Sequence, residues 1–180
     1  MMSLIRTATR MRDAALAAGA FAAVMFASAA AHAQTPSPVA LVQPDSGGDP
    51  GAAGGAFLAR NAADPAVRTL PSGLQYKVTT AAAQDAPSPK VGDAVKVNYE
   101  GALISGEVFD STFERGKPAL MILENLIPAW IEAVPLMKVG EEWTIYAPPS
   151  LGYGSRGIGP IPPESVLVFR LQLLGMLSQD

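Results

Sequence analysis

Few of the side chains that carry covalent or acid–base chemistry near neutral pH occur in this sequence: it has no cysteine and one histidine, His32. A thiolate nucleophile is excluded, and a histidine triad or a zinc site would have to be built on that single imidazole. The segment between Pro148 and Pro163 is more informative. It reads PPSLGYGSRGIGPIPP, so glycine and proline surround one aromatic, Tyr153. A loop of that composition lies at the surface, where it can serve recognition. Its glycines are not spaced to cradle a phosphate ahead of a helix, and no Gly-Lys-Ser/Thr follows, so a nucleotide site is excluded. The remaining candidates are Tyr99, Phe109, Asp110, Trp130 and Phe169. On residue type alone, Phe109, Trp130 and Phe169 read first as core aromatics. Asp110 reads as a cap on a turn with Ser111 and Thr112 as readily as a pocket carboxylate. Tyr153 differs, because no strand or helix beside it offers a packed neighbour.

The elements that must position these residues show period-two alternation. Leu74, Tyr76 and Val78 are two apart, as are Val95, Val97 and Tyr99, and then Leu167, Phe169, Leu171 and Leu173. Strands with one buried face follow. Ser105-Gly106 supplies a hairpin turn, and further strands are expected over 119–123 and 142–147. A single helix is expected from about 127 to 137, with Asn125 as cap, Pro128 in its first turn, and Ile127, Trp130, Val134 and Met137 on its apolar face. Pro135 should end or kink its last turn. The fold class is therefore α+β: an antiparallel sheet of about five strands curling as a half-barrel around one short helix.

The front of the chain has a different character. Arg6, Arg10 and Arg12 precede an apolar, alanine-rich run over 14–30 that ends at Ala31-His32-Ala33. Positive start, apolar middle and small-residue exit predict a signal peptide over 1–33, cleaved before Gln34. The run is too short and too rich in alanine for a membrane anchor. No paired arginines occur, so the general secretory route is expected, with a periplasmic or secreted product that is soluble and not held at a membrane. Without cysteine there is neither a lipid-modified cysteine nor a disulfide framework. Cleavage removes three positive charges and one negative, taking the formal charge from −3 to −5, which argues against nucleic-acid binding. His32 leaves with the leader, and histidine catalysis or metal ligation leaves with it. Residues 34–69 form the next segment. Up to about Gly55 they are Pro, Ser, Gly and Ala, a flexible linker that buries too little to offset its ordering entropy, and one or two helical turns are expected over 57–63, ended by Asp64-Pro65. The folded domain is expected over 70–180.

Five blocks in that domain resemble the FKBP-type peptidyl-prolyl cis-trans isomerases: LPSGLQYKV from Leu70, VKVNYEGAL from Val95, EVFDST from Glu107, NLIPAWIEAVPLMKVGEEW from Asn125, and LGYG…IPPESVLVF from Leu151. The first resembles the exported bacterial branch, whose members often carry a long helical dimerisation region that this short linker does not supply, so a monomer is expected. The resemblance implies the same half-barrel over a helix, with a pocket between them. Trp130 would be its floor, Tyr99, Phe109 and Phe169 its aromatic walls, and Leu126, Ile127 and Ile161 its aliphatic ones. Asp110, the Tyr153 hydroxyl and the Ile127 backbone N–H would be its polar groups.

Three departures bear on specificity. Where the family has an aromatic after Lys117-Pro118, this chain has Ala119, Leu120 and Met121, and Met121 would form a softer wall. Ala129 replaces the glycine before the tryptophan. The loop after Tyr153 is about one residue shorter, so Ile158 and Ile161 compete for one pocket position. The activity implied is rotation of X-Pro bonds in unfolded or exported polypeptides, without metal or cofactor, with macrolides such as rapamycin as possible ligands. The alternatives are a noncatalytic module or holdase using the same groove, and a protein that docks one fixed partner through the Tyr153 loop.

Overall fold

A computed structural model describes residues 49–178. The expected signal peptide and most of the linker lie outside the described residues.

The alternating segments become seven strands: β1 Arg68–Thr69, β2 Gln75–Thr80, β3 Ala94–Leu103, β4 Val108–Ser111, β5 Ala119–Ile122, β6 Glu142–Ala147 and β7 Leu167–Leu177. They form one antiparallel sheet in the order β1-β2-β6-β7-β3-β4, with β5 also paired to β3. The count exceeds the expected five or so for two reasons. β1 is a two-residue pairing, and β3 is long enough to hold β5 along Ala94–Val97 and β4 along Glu100–Ala102. The β3–β4 hairpin turns at Gly106, whose φ of 88° only glycine adopts freely and whose N–H donates to the Leu103 carbonyl at 2.9 Å.

The inward residues of β3 (Val95, Val97, Tyr99), β6 (Trp143, Ile145, Ala147) and β7 (Leu167, Phe169, Leu171, Leu173) are buried against the helical segment below, through Trp130, Ala133, Val134 and Met137. That segment differs from the expected helix at both ends. α2 spans Pro128–Ala133, and its N-cap is Ile127, not Asn125. The cause is local: a residue before proline is pushed out of the helical region, and Ile127 accordingly has φ −64° and ψ 151°. Asn125 closes a separate 3₁₀ turn, Leu123–Asn125. At the other end α2 gives way to a 3₁₀ turn, Val134–Leu136, which accommodates Pro135 where a longer α-helix would not.

A second helix, α1, spans Pro50–Asn61, so it begins inside the segment expected to be flexible to Gly55. Asp49 caps it, accepting from the Gly51 N–H at 3.1 Å, and Pro50 occupies the first turn. Its glycines are poor helix formers, so its order comes from docking. Gly54 is buried so closely on the sheet that a Cβ there would lie 2.7 Å from Val166 Cγ2. Phe57 meets the Tyr146 ring at 5.8 Å. The buried Gln75 amide donates to the Leu58 carbonyl at 3.0 Å and accepts from Asn61 Nδ2 at 2.8 Å. α1 therefore covers part of the outer face of the sheet. No helix among the described residues is long and apolar enough to cross a membrane.

Candidate active site

The sheet and α2 enclose a cavity of about 540 Å³ lined by Tyr99, Phe109, Asp110, Met121, Asn125, Leu126, Ile127, Trp130, Tyr153 and Phe169. Its apolar part is a set of rings at right angles. Trp130 on α2 meets Tyr99 on β3 at 5.1 Å and Phe169 on β7 at 5.6 Å, and Phe109 on β4 meets Phe169 at 5.8 Å, all edge to face. That geometry suits the ring quadrupoles and locks each orientation. Gly101 makes it feasible, since a Cβ there would stand 2.6 Å from Phe109 Cε2 and 2.9 Å from Phe169 Cε1.

The polar side of the cavity is built on the β3–β4 pair. Thr112 fixes the backbone of Tyr99, its Oγ1 accepting from the Tyr99 N–H at 2.7 Å and donating to the Tyr99 carbonyl at 3.1 Å. On the other face of that residue, the Tyr99 hydroxyl donates to Asp110 Oδ2. Arg115 donates to Asp110 Oδ1 through Nη1 and to the Tyr99 hydroxyl through Nη2 at 3.3 Å. Asp110 thus faces Tyr99 and Arg115, while the turn after it is capped by Ser111, whose Oγ accepts from the Glu114 N–H. Burial opposes the charge on Asp110, but the hydrogen bonds from Tyr99 and Arg115 prevail and hold its pKa below the ordinary value. Burial and the Asp110 hydrogen bond raise that of Tyr99. Near neutral pH the pair is a carboxylate and a protonated phenol.

Two of the open donors are those that the family resemblance singles out. The Ile127 N–H finds no backbone acceptor among the described residues, because the chain there is extended ahead of Pro128. The Tyr153 ring lines the rim, 37% exposed, and its hydroxyl has no partner among the described residues. Met121 occupies its wall as the side chain from β5. Ile161 does not line the cavity. It is packed in the core, 5% exposed, and exchanges two backbone hydrogen bonds with Ile158 at 2.9 and 3.0 Å. Gly157 and Gly159, both at positive φ, fold the loop so that Ile158, 57% exposed, projects outward instead. Neither isoleucine of the shortened loop supplies a wall.

The geometry has close relatives. Residues 86–174 match the profile described as FKBP-type peptidyl-prolyl cis-trans isomerase, and residues 11–78 match the domain amino terminal to it. The crystal structure of AtFKBP13 is 33% identical, with 98% of that chain and 62% of this one aligned at a TM-score of 0.57. The chain belongs to the FKBP-type peptidyl-prolyl cis-trans isomerase family. The crystal structure of FkpA from Escherichia coli superposes with a TM-score of 0.70 at 37% identity, covering 73% of this chain and 61% of that one. Among curated proteins, the peptidyl-prolyl cis-trans isomerase Mip of Coxiella burnetii is 48% identical over 122 residues, 67% of this chain and 52% of its own length. The chain spans about half the length of the curated relatives it matches. The amino-terminal match runs through the segment read as leader and linker, and α1 lies within it.

Asn125, which lines the cavity, and Arg115, which holds Asp110 from behind it, carry no signal of those places in the sequence. Asn125 reads as a helix cap. Arg115, five residues after Asp110 in the stretch Phe113-Glu114-Arg115-Gly116, reads as a solvated turn. Its reach back to Asp110 depends on that turn, in which the Gly116 N–H donates to the Phe113 carbonyl at 3.2 Å and Gly116 has a φ of 67°.

Proposed function

We propose that this protein catalyses rotation about X-Pro peptide bonds. The reading rests on one arrangement: an aromatic-walled cavity lined by a tethered carboxylate and by two open donors, the Ile127 N–H and the Tyr153 hydroxyl. Rotation makes and breaks no covalent bond, yet it crosses a barrier of ~20 kcal/mol set by amide resonance. The twisted imide has less charge separation than the planar one, so a poorly hydrated cavity favours it over the ground state. In this reading the prolyl ring rests on Trp130 between Tyr99, Phe109 and Phe169, with Met121 and Leu126 completing the walls. Ile127 donates to a substrate carbonyl, Tyr153 donates from the rim, and the Asp110 carboxylate faces the twisting carbonyl carbon. Bringing a step of tens of seconds to about a millisecond needs ~4 to 5 powers of ten, or roughly 6 kcal/mol.

The substrates in this proposal are X-Pro segments of unfolded, exported polypeptides, met outside the cytoplasm by a monomer. The leader-like pattern over 1–33 supports the location. A macrolide such as rapamycin would occupy the same walls and compete. Refolding of a protein limited by proline isomerisation tests the activity. Acceleration that a macrolide abolishes is the expected result, and suppressed aggregation without acceleration would replace catalysis by holding of unfolded chains.

A further inference from the structure

Glu164 has a φ of 57°, the one non-glycine residue among those described with a positive φ. A side chain stays in that region only where its surroundings over-determine it. Two contacts do so here. The Glu164 N–H donates to the Gly154 carbonyl at 3.0 Å, and Gly154 directly follows Tyr153. On its other side lies the first turn of α1, near enough that a Cβ added at Gly51 would be 3.5 Å from the Glu164 Cβ. One turn further along α1, Gly54 lies against Val166. The helix thus packs closely on Val166 and runs beside Glu164, the two residues that flank Ser165, whose Oγ ties the segment to the Pro162 carbonyl at 2.7 Å. The far end of α1 is anchored to the sheet by Gln75, Asn61 and the Phe57–Tyr146 contact.

We propose, on the reading of the cavity as an isomerase site, that α1 positions Tyr153 through Glu164. The docked helix keeps Glu164 in its left-handed conformation, the Glu164 N–H fixes the Gly154 carbonyl, and that bond sets where the Tyr153 hydroxyl stands over the cavity. Glu164 is a positioning residue, and the helix that precedes the sheet is part of the machinery that shapes the rim.

The test uses the full chain with Gly54→Val, which drives a branched side chain into Val166 and lifts the helix. Gly55→Val is the matched control, because a Cβ at Gly55 meets nothing within 4 Å. Tryptic cleavage after Arg60 reports undocking. In Gly54→Val, KM for an X-Pro peptide should rise about three- to tenfold with kcat little changed, since a rim donor holds ground and transition states alike. Hydrogen exchange at the Glu164 amide should quicken by about tenfold or more. Gly55→Val should match the parent in both. A lower urea midpoint with KM and Glu164 exchange unchanged would leave α1 as a brace for the fold and overturn the proposal. Should Gly54→Val not fold, Gly54→Ala replaces it. Adding Val166→Ala, which removes the methyl in the way, should then restore KM and exchange, and failure to restore them overturns the proposal equally. A parent chain with no rotamase activity would retire the isomerase reading, and the exchange measurement would still decide this one.

Discussion

The Tyr99 hydroxyl donates to one oxygen of the Asp110 carboxylate while Arg115 donates to the other, so the one carboxylate lining the cavity is held from two sides. The clamp has opposite effects on its two titrating members. Asp110 is kept ionised below its ordinary pKa of 3.8 and Tyr99 protonated above its ordinary 10.0.

A flat pH–activity profile follows. Neither group changes state between about pH 5 and about pH 9, so kcat/KM should be constant across that window. The stability term has a definite sign. Because the folded pKa of Asp110 is depressed, its contribution is complete above the unfolded value near 3.8 and is lost as pH falls through the lower folded value. Glu142, half-buried yet held low by Arg170 and Gln172, acts in the same direction. Urea midpoints should therefore decline in acid, below about pH 4, and, because the raised pKa of Tyr99 acts in the opposite direction, again in alkali above about pH 10. An inflection in kcat/KM between about pH 6 and pH 8 would place another titrating group in the site.

Gly101 predicts a separable defect. Gly101→Ala places a methyl 2.6 Å from Phe109 and 2.9 Å from Phe169, and both rings are hemmed in by their edge-to-face contacts. Both rings line the cavity, so a shift of either changes its shape. Activity should fall by about tenfold or more, with a stability loss of about 1 to 3 kcal/mol from overpacking. Steady-state kinetics and urea unfolding measure the two, and unchanged kinetics would mean that the rings find room elsewhere.

The sheet was legible because a single periodicity carries it, whereas the pocket role of Phe109, Trp130 and Phe169 came only from the family resemblance. Val95, Val97 and Tyr99 must share a face, as must Leu167, Phe169 and Leu171, and burial selects which one. Three features were not legible, each for its own reason. Arg115 reaches Asp110 through a turn whose course depends on Gly116, and nothing in the local pattern distinguishes it from a solvated arginine. α1 packs through Gly51 and Gly54 as well as Phe57, so the first half of its docking face lacks the large apolar residues that reveal an amphipathic helix. Ile161 and Ile158 were undecided because their facing depends on two positive-φ glycines, a matter of three-dimensional closure rather than spacing.

Tyr153 and Trp130 should respond differently to substitution. Tyr153→Phe removes one exposed hydroxyl with no partner among the described residues, so folding should be nearly unchanged while ligand or transition-state binding weakens by about 1 kcal/mol. Trp130→Leu removes a buried ring that touches both Tyr99 and Phe169. Stability should drop by about 1 to 3 kcal/mol together with macrolide binding. Urea unfolding and rotamase kinetics on both variants check the contrast, and a Tyr153→Phe protein that loses stability but keeps full activity would make this tyrosine a packing residue.

Removing α1 should be costly, although composition places the start of the folded domain near residue 70. The deciding residue is Gln75. It is 4% exposed, and its side-chain amide is satisfied from α1 on both sides: Nε2 donates to the Leu58 carbonyl and Oε1 accepts from Asn61. Without the helix, those atoms lose both partners, and the Tyr146 ring and Val166 lose their cover. A newly unsatisfied buried amide costs about 1 to 3 kcal/mol unless water reaches it. Water can reach it here, because the helix that buried it is gone, so the lower half of that range is expected from Gln75, with exposed apolar surface at Phe57's former site adding to it. A truncation at Asp64 should therefore unfold at a lower urea concentration by an amount worth about 2 kcal/mol, with a slightly smaller m-value because less surface is buried at the start. Gln75→Leu in the full chain separates the two contributions: it removes the amide but keeps the helix. If the truncated chain unfolds with the parent's midpoint, α1 adds nothing to the fold and its contacts with Gln75 and Val166 are energetically neutral.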